Sequence, residues 1–109
     1  MERLASEYLR ALEQDPYSPP ADNPPDPELL GVLIDGGKVV KVSESVVFAA
    51  SAYRQMTDVV IAHIKTKGSI TVAEARTLFN SSRKYVLPLL EHLDQQHVTR
   101  RVGDERVLR

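Results

Sequence analysis

Ser69-Ile70-Thr71-Val72-Ala73-Glu74-Ala75-Arg76-Thr77-Leu78-Phe79-Asn80-Ser81-Ser82-Arg83-Lys84-Tyr85 opens with a short strand and continues into two helices meeting at a polar corner. Thr71 followed three residues later by Glu74 is a capping box, so a helix starts at about Val72. Its apolar face is Val72, Ala75, Leu78 and Phe79, and Asn80 can close it in a left-handed conformation. Ser81 or Ser82 caps the next helix, which turns Val86, Leu89, Leu90 and Leu93 inward. Pro88 removes a backbone donor inside that pattern, and a kink or an irregular first turn is expected there. After His97 strict alternation takes over, with Val98, Arg100 and Val102 on one side and Thr99 and Arg101 on the other. Gly103-Asp104-Glu105 turns the chain and Arg106-Val107-Leu108 returns it. Strand, helix, corner, helix and basic hairpin together are the order of a winged helix, the helix-turn-helix variant that offers its second helix to a partner.

The same plan is written more loosely upstream. Residues 2–14 form an amphipathic helix with Leu4, Tyr8, Leu9 and Leu12 on one stripe. Six of the seven prolines then fall between Pro16 and Pro27, so residues 15–27 are expected to run over the surface as a stiff connector. Disorder is the competing reading, opposed by the helices that tether both ends. Asp26-Pro27 caps a short helix that packs Leu29, Leu30, Leu33 and Ile34. Lys38 to Val42 and Val46 to Ala49 make a hairpin, and Ala50 to Lys67 the longest helix, ended by Gly68. The expected fold is α+β, mainly helical with small β-hairpins: two tandem winged-helix modules over residues 1–50 and 51–109. The long helix closes the first and opens the second, so the two should be rigidly joined.

A chain of 109 residues has room for one ordinary domain or two very small ones. It has no cysteine, which removes disulfides and thiolate metal sites and fits a reducing cytoplasm. No apolar run approaches the roughly 20 residues of a membrane span, and no signal-peptide pattern opens the chain. A soluble, cytoplasmic protein is expected. Charge is unevenly spread: residues 1–49 hold four basic and nine acidic side chains, a balance of −5, and residues 50–109 hold ten and six, a balance of +4. An anionic partner for the second half is the expectation.

Catalytic chemistry has little to stand on. His63, His92 and His97 lack a carboxylate–histidine ligand pattern, and there is no phosphate-binding loop, no GxGxxG and no Ser/His/Asp constellation. No metal, no cofactor and no enzymatic activity are expected of this chain. The basic residues carry more. Arg83 and Lys84 occupy the first turn of the presented helix beside the Ser81 and Ser82 hydroxyls, a seat suited to phosphate. Arg100, Arg101 and Arg106 lie on the wing that flanks it. On spacing alone, solvated charges or partners for Glu91, Asp104 and Glu105 explain them equally well. Tyr85 could stack on a base or fill the core.

Ile70-Thr71-Val72-Ala73-Glu74, Ser82-Arg83-Lys84-Tyr85, Leu89-Leu90-Glu91 and Val98-Thr99-Arg100-Arg101-Val102-Gly103-Asp104 resemble the final winged-helix module of bacterial selenocysteine-specific translation elongation factors. Asp26-Pro27-Glu28-Leu29-Leu30 and the Val39-to-Phe48 hairpin resemble the module before it, more loosely. The resemblance implies a C-terminal, message-binding fragment of a GTPase that delivers selenocysteyl-tRNA to the ribosome at UGA codons. It implies RNA contacts from Ser82, Arg83, Lys84, Tyr85, Arg100 and Arg101 to the loop of an mRNA stem-loop, with the first module mainly a spacer. Arg106 joins that set from its place on the wing. Rival readings are a DNA-binding transcription regulator of the same fold and a module for protein contacts alone. Nothing reads as a dimerisation helix, so a monomer is expected.

Overall fold

The computed structural model describes residues 2–20 and 26–109. The sequence-predicted connector is therefore followed only in part, and its Pro24 and Pro25 lie outside the described residues.

The first helix, α1 (Glu2–Gln14), buries Leu12 and leaves Leu4 largely exposed. After it the chain turns, the Ser18 amide donating to the Asp15 carbonyl at 3.1 Å. Here the surface-connector expectation needs correcting. Pro19 is buried and Tyr17 packs against both hydrophobic clusters of the protein, because an aromatic ring placed beside two open apolar faces gains more from burial than from solvent. Helix α2 (Pro27–Asp35) starts as its sequence dictates: the Asp26 carboxylate accepts from the Glu28 amide at 2.8 Å, and Pro27 takes the first-turn place where no donor is needed. Leu29 and Leu33 are buried, whereas Ile34, expected inside, is 38% exposed near the helix end.

Strands β1 (Val39–Lys41) and β2 (Val47–Ala49) pair antiparallel, with Val40 opposite Phe48. Helix α3 (Ala50–Lys67) follows without a break. It ends at Gly68, whose φ of 93° is the left-handed conformation that glycine adopts most cheaply. Two apolar clusters meet along it. Ala49 and Ala52 join Leu12, Leu29, Leu33 and Val39 in the smaller one. Met56, Val60 and Ile64 join the larger one, to which the first hairpin also contributes Val42, Val46 and Phe48.

The second half begins with β3 (Ile70–Thr71), α4 (Val72–Phe79) and α5 (Arg83–Gln95). Both halves of the Thr71–Glu74 capping box are made, at 3.1 and 2.9 Å, and Asn80 closes α4 with φ of 47°. Leu78 was expected to face inward but is 44% exposed. A helix of two turns presents one narrow stripe, and Ala75 and Phe79, four residues apart, occupy it. Helix α5 continues through Pro88 and buries Val86, Leu89, Leu90 and Leu93. It stops at His97, whose φ is 62°; the His97 and Val98 amides donate back to the Asp94 and Leu93 carbonyls.

Strands β4 (Thr99–Val102) and β5 (Glu105–Leu108) form the wing, and β3 adds to the outer edge of β5 to give the order β3-β5-β4. The alternation read from the sequence holds, and the face carrying Thr99 is the one turned toward α5. Among the described residues no helix is long and apolar enough to cross a membrane.

Candidate nucleic-acid interface

Ser82 stands at the N-cap position of α5, but its side chain makes no capping bond. The hydroxyl expected to share that task, Ser81, is committed elsewhere: it donates to the Tyr17 carbonyl at 2.8 Å. The start of α5 therefore keeps backbone donors that no side chain occupies, at the positive end of the helix dipole. Arg83 and Lys84 are exposed in the same turn. The Lys84 ammonium also lies 5.4 Å from the centroid of the Tyr85 ring. Tyr85 itself is half-buried against the larger core, so its ring is shared between packing and the surface.

Across from that turn, the wing closes a cleft of about 340 Å³ against the N-terminal turns of α4 and α5. Arg83, Arg101 and Arg106 line it, together with Thr71, Val72 and Leu87, and two carboxylates, Glu91 and Asp104, stand at the same opening. Arg101 and Arg106 are direct cross-strand neighbours, so both project from one face of the wing. Arg100, one residue along β4, projects from the other face, since successive side chains of a strand alternate. Ser82, Lys84 and Arg100 are exposed and do not line the cleft. The predicted basic set is thus brought together at one point, Arg83 with Arg101, and spread around it at the others.

Arg106 requires a correction. Read from the sequence it was a candidate RNA contact on the wing, yet it is only 3% exposed, and its Nε donates to Asp94 Oδ2 at 3.3 Å. The other carboxylate oxygen, Asp94 Oδ1, accepts from the fully buried Thr99 hydroxyl at 2.6 Å. Asp94 lies on α5, so one carboxylate ties both strands of the wing to the presented helix. A buried guanidinium needs such a partner, because an unpaired charge in this position would be strongly disfavoured. Arg106 holds the wing in place and forms the floor of the cleft. The sequence contained a signal for this: Asp94 falls in the last turn of an amphipathic helix, at a short chain distance from a strand whose register could bring Arg106 to it.

The remaining candidate cations are not consumed by carboxylates. Among the described residues the ion pairs are Arg3–Glu7, Lys41–Glu44, His63–Glu74 and Arg106–Asp94, so Arg83, Lys84, Arg100 and Arg101 have no carboxylate within 4.0 Å. Arg101 is instead held by its own turn, Nε donating to the Gly103 carbonyl at 2.8 Å, which fixes the guanidinium beside the cleft. The arrangement offers exposed cations, open amides and an exposed hydroxyl to an anionic ligand. It offers no nucleophile–base pair, and among the described residues no group of three or more His, Asp or Glu could hold a metal ion.

A second opening of about 500 Å³ separates the first hairpin from α5; Ser43 and Glu44 line one wall and Pro88 and His92 the other. His92 sits edge-on to Tyr53 with ring centroids 5.4 Å apart, and burial lowers its pKa from the ordinary value.

Residues 62–108 match the family model described as the winged helix of elongation factor SelB. The chain is 29% identical over 82 residues to a selenocysteine-specific elongation factor from Desulfomicrobium baculatum, an alignment covering 75% of this chain and 13% of that protein. It superposes on the mRNA-binding domain of elongation factor SelB from E. coli, solved in complex with SECIS RNA, with a TM-score of 0.70 and 21% identity over 75% of this chain and 68% of that one. A bacterial selenocysteine-specific elongation factor, EF-Sec, gives a TM-score of 0.70 and 21% identity over 99% of this chain and 18% of its own. The chain thus spans a small part of the full-length factors it matches. The part of the chain that carries the basic cleft is similar to the winged helix of elongation factor SelB.

Proposed function

We propose that this chain is the message-binding end of a selenocysteine-specific elongation factor and that it grips an mRNA stem-loop through the start of α5 and the adjoining wing. The observation that carries the reading is the convergence of Arg83 and Arg101, both without carboxylate partners, on one cleft beside the uncapped N-terminus of α5. The resemblance of the module to a domain solved with SECIS RNA supports it. Phosphates of the loop meet Arg83, Lys84 and the open amides, while Ser82 and Arg101 lie within reach of the backbone and of unstacked bases. Arg100 serves a flanking phosphate from the far face of the wing. Tyr85 contributes a partly exposed ring edge, and Arg106 acts through the placement of Arg101. Residues 1–50 and 51–109 are two modules on this reading, the first mainly a spacer. In the longer factor, GTP hydrolysis and the carriage of selenocysteyl-tRNA to the ribosome belong to parts outside this chain, all in the cytoplasm.

The test is fluorescence anisotropy with a labelled SECIS stem-loop and a duplex DNA of matched length. The stem-loop should bind more tightly, with affinity falling by about 0.7–0.9 in logarithmic slope per phosphate neutralised as salt rises. Arg83→Ala or Arg101→Ala should weaken binding by roughly 1–3 kcal/mol without changing the melting temperature. Arg3→Ala and Arg10→Ala should do almost nothing. Equal losses from both sets would mean a diffuse field in place of a site, and preference for the duplex would favour a DNA-binding regulator.

A further inference from the structure

We infer that Tyr17 and Ser18, in the segment following α1, are positioning residues for the RNA-facing start of α5. This inference rests on the proposed RNA site.

Three contacts converge on the corner between α4 and α5. The Tyr17 ring packs on Phe79 at a centroid distance of 5.3 Å, tilted by 59°. The Ser81 hydroxyl donates to the Tyr17 carbonyl at 2.8 Å. The Ser18 and Ser81 hydroxyl oxygens are 2.6 Å apart. Since the Ser81 proton is already committed, Ser18 is the donor in that pair. The Tyr17 hydroxyl in turn donates to Gln55 Oε1 on α3 at 3.2 Å, so the residue doing the bracing is itself braced.

What this does follows from its place in the chain. Ser81 immediately precedes the N-cap residue of α5, and Arg83 is the first residue of the helix. A helix start is ordinarily fixed by a side chain capping its first amides. Here no side chain does so, and the helix start is set from outside by residues more than sixty positions away in sequence. The consequence is double. The amides at the start of α5 remain open, and the frame that aims Arg83 and Lys84 depends on the segment after α1. The first module is then part of the binding apparatus.

The full chain should be compared with Ser18→Ala, Ser81→Ala, Ser81→Thr and Tyr17→Phe. Ser18→Ala and Ser81→Ala should weaken stem-loop binding by about 3- to 10-fold, the scale of one hydrogen bond. Ser81→Thr, which keeps the hydroxyl, should restore it. Tyr17→Phe keeps the ring and the carbonyl but loses the bond to Gln55, and should weaken binding less than Ser18→Ala does. The loss from Ser18→Ala should shrink when Arg83→Ala is already present, because one acts through the other. Amide exchange at Tyr85 and Val86, whose N–H groups donate to the Ser82 carbonyl, should quicken in Ser18→Ala in the RNA-free chain. Strict additivity with Arg83→Ala, or a lower melting temperature with binding and exchange unchanged, would overturn the inference. A loss from Ser81→Ala without one from Ser18→Ala would mean that Ser81 meets RNA directly, and would overturn it too. If the wild-type chain binds no stem-loop, the functional reading falls, and unchanged exchange in Ser18→Ala would separately sink the coupling.

Discussion

Asp94→Ala would remove the one carboxylate shared by Thr99 and Arg106. Thr99 is fully buried, so its hydroxyl would lose a 2.6 Å acceptor with no water to replace it, at about 1–3 kcal/mol. Arg106, 3% exposed, would keep a buried charge without its 3.3 Å partner, a loss on the order of 3–5 kcal/mol in fully buried pairs. Asp94 is itself 23% exposed, and the Arg106 head lines an open cleft, so the lower end of that range applies. The combined expectation is about 4 kcal/mol, or a fall of roughly 16 °C or more in Tm for a chain this small. Arg106→Met keeps the apolar stem and leaves Asp94 bonded to Thr99 and partly in water, so about 1 kcal/mol is expected. The double variant should lose less than the two singles together, by about 1–2 kcal/mol. Urea and thermal unfolding followed by circular dichroism measure all three. Asp94→Ala within about 0.5 kcal/mol of wild type, or additive losses, would refute the structural role given to Arg106. A second arm uses the folded Arg106→Met variant, which should lose less stem-loop affinity than Arg83→Ala.

His97 holds a left-handed φ of 62° at the end of α5, a conformation that costs a non-glycine residue about 1 kcal/mol. His97→Gly should raise the urea midpoint slightly, and His97→Val should lower it. His92 resists protonation because it is partly buried. An unfolded histidine takes its proton near pH 6.5, so His92 should add stability that is present above that pH and lost as the pH falls through its lower folded value. Melting temperatures at pH 7.5 and 5.0 should differ more for wild type than for His92→Gln, and equal differences would exclude His92 as the source.

Local chemistry made much of this fold readable from the chain. The Thr71–Glu74 box, Asn80, Gly68 and Asp26-Pro27 each force a helix end through their own backbone or side-chain bonds, and each lies where the sequence put it. What could not be read depends on contacts between distant segments. Alternation gave the two faces of the wing, but only the position of Asp94 decides that Arg106 is buried while Arg101 is open. Leu78 fits the helical stripe by spacing and misses the core because two turns leave room for Ala75 and Phe79 alone. The attachment of Tyr17 to Ser81 spans more than sixty residues and has no local signature. For the site, Arg83 was a candidate from its place in the first turn of a helix and Arg101 from its place on the wing, while their convergence on one cleft needed the pairing of β4 with β5.

Beside the shared core, two links among the described residues join the halves of the molecule: the continuous rod of α3, about 27 Å long at 1.5 Å per residue over its 18 residues, and the contacts of Tyr17 and Ser18. In mechanical terms these are two members in parallel, and a frame with two members cannot fold at a single joint. A pull applied at α5 is shared between the helix and the bracket and reaches α1 as displacement, with little of it absorbed in bending. On the proposed function, with one end held to a message, that stiffness would set how faithfully movement of the message is felt at the other.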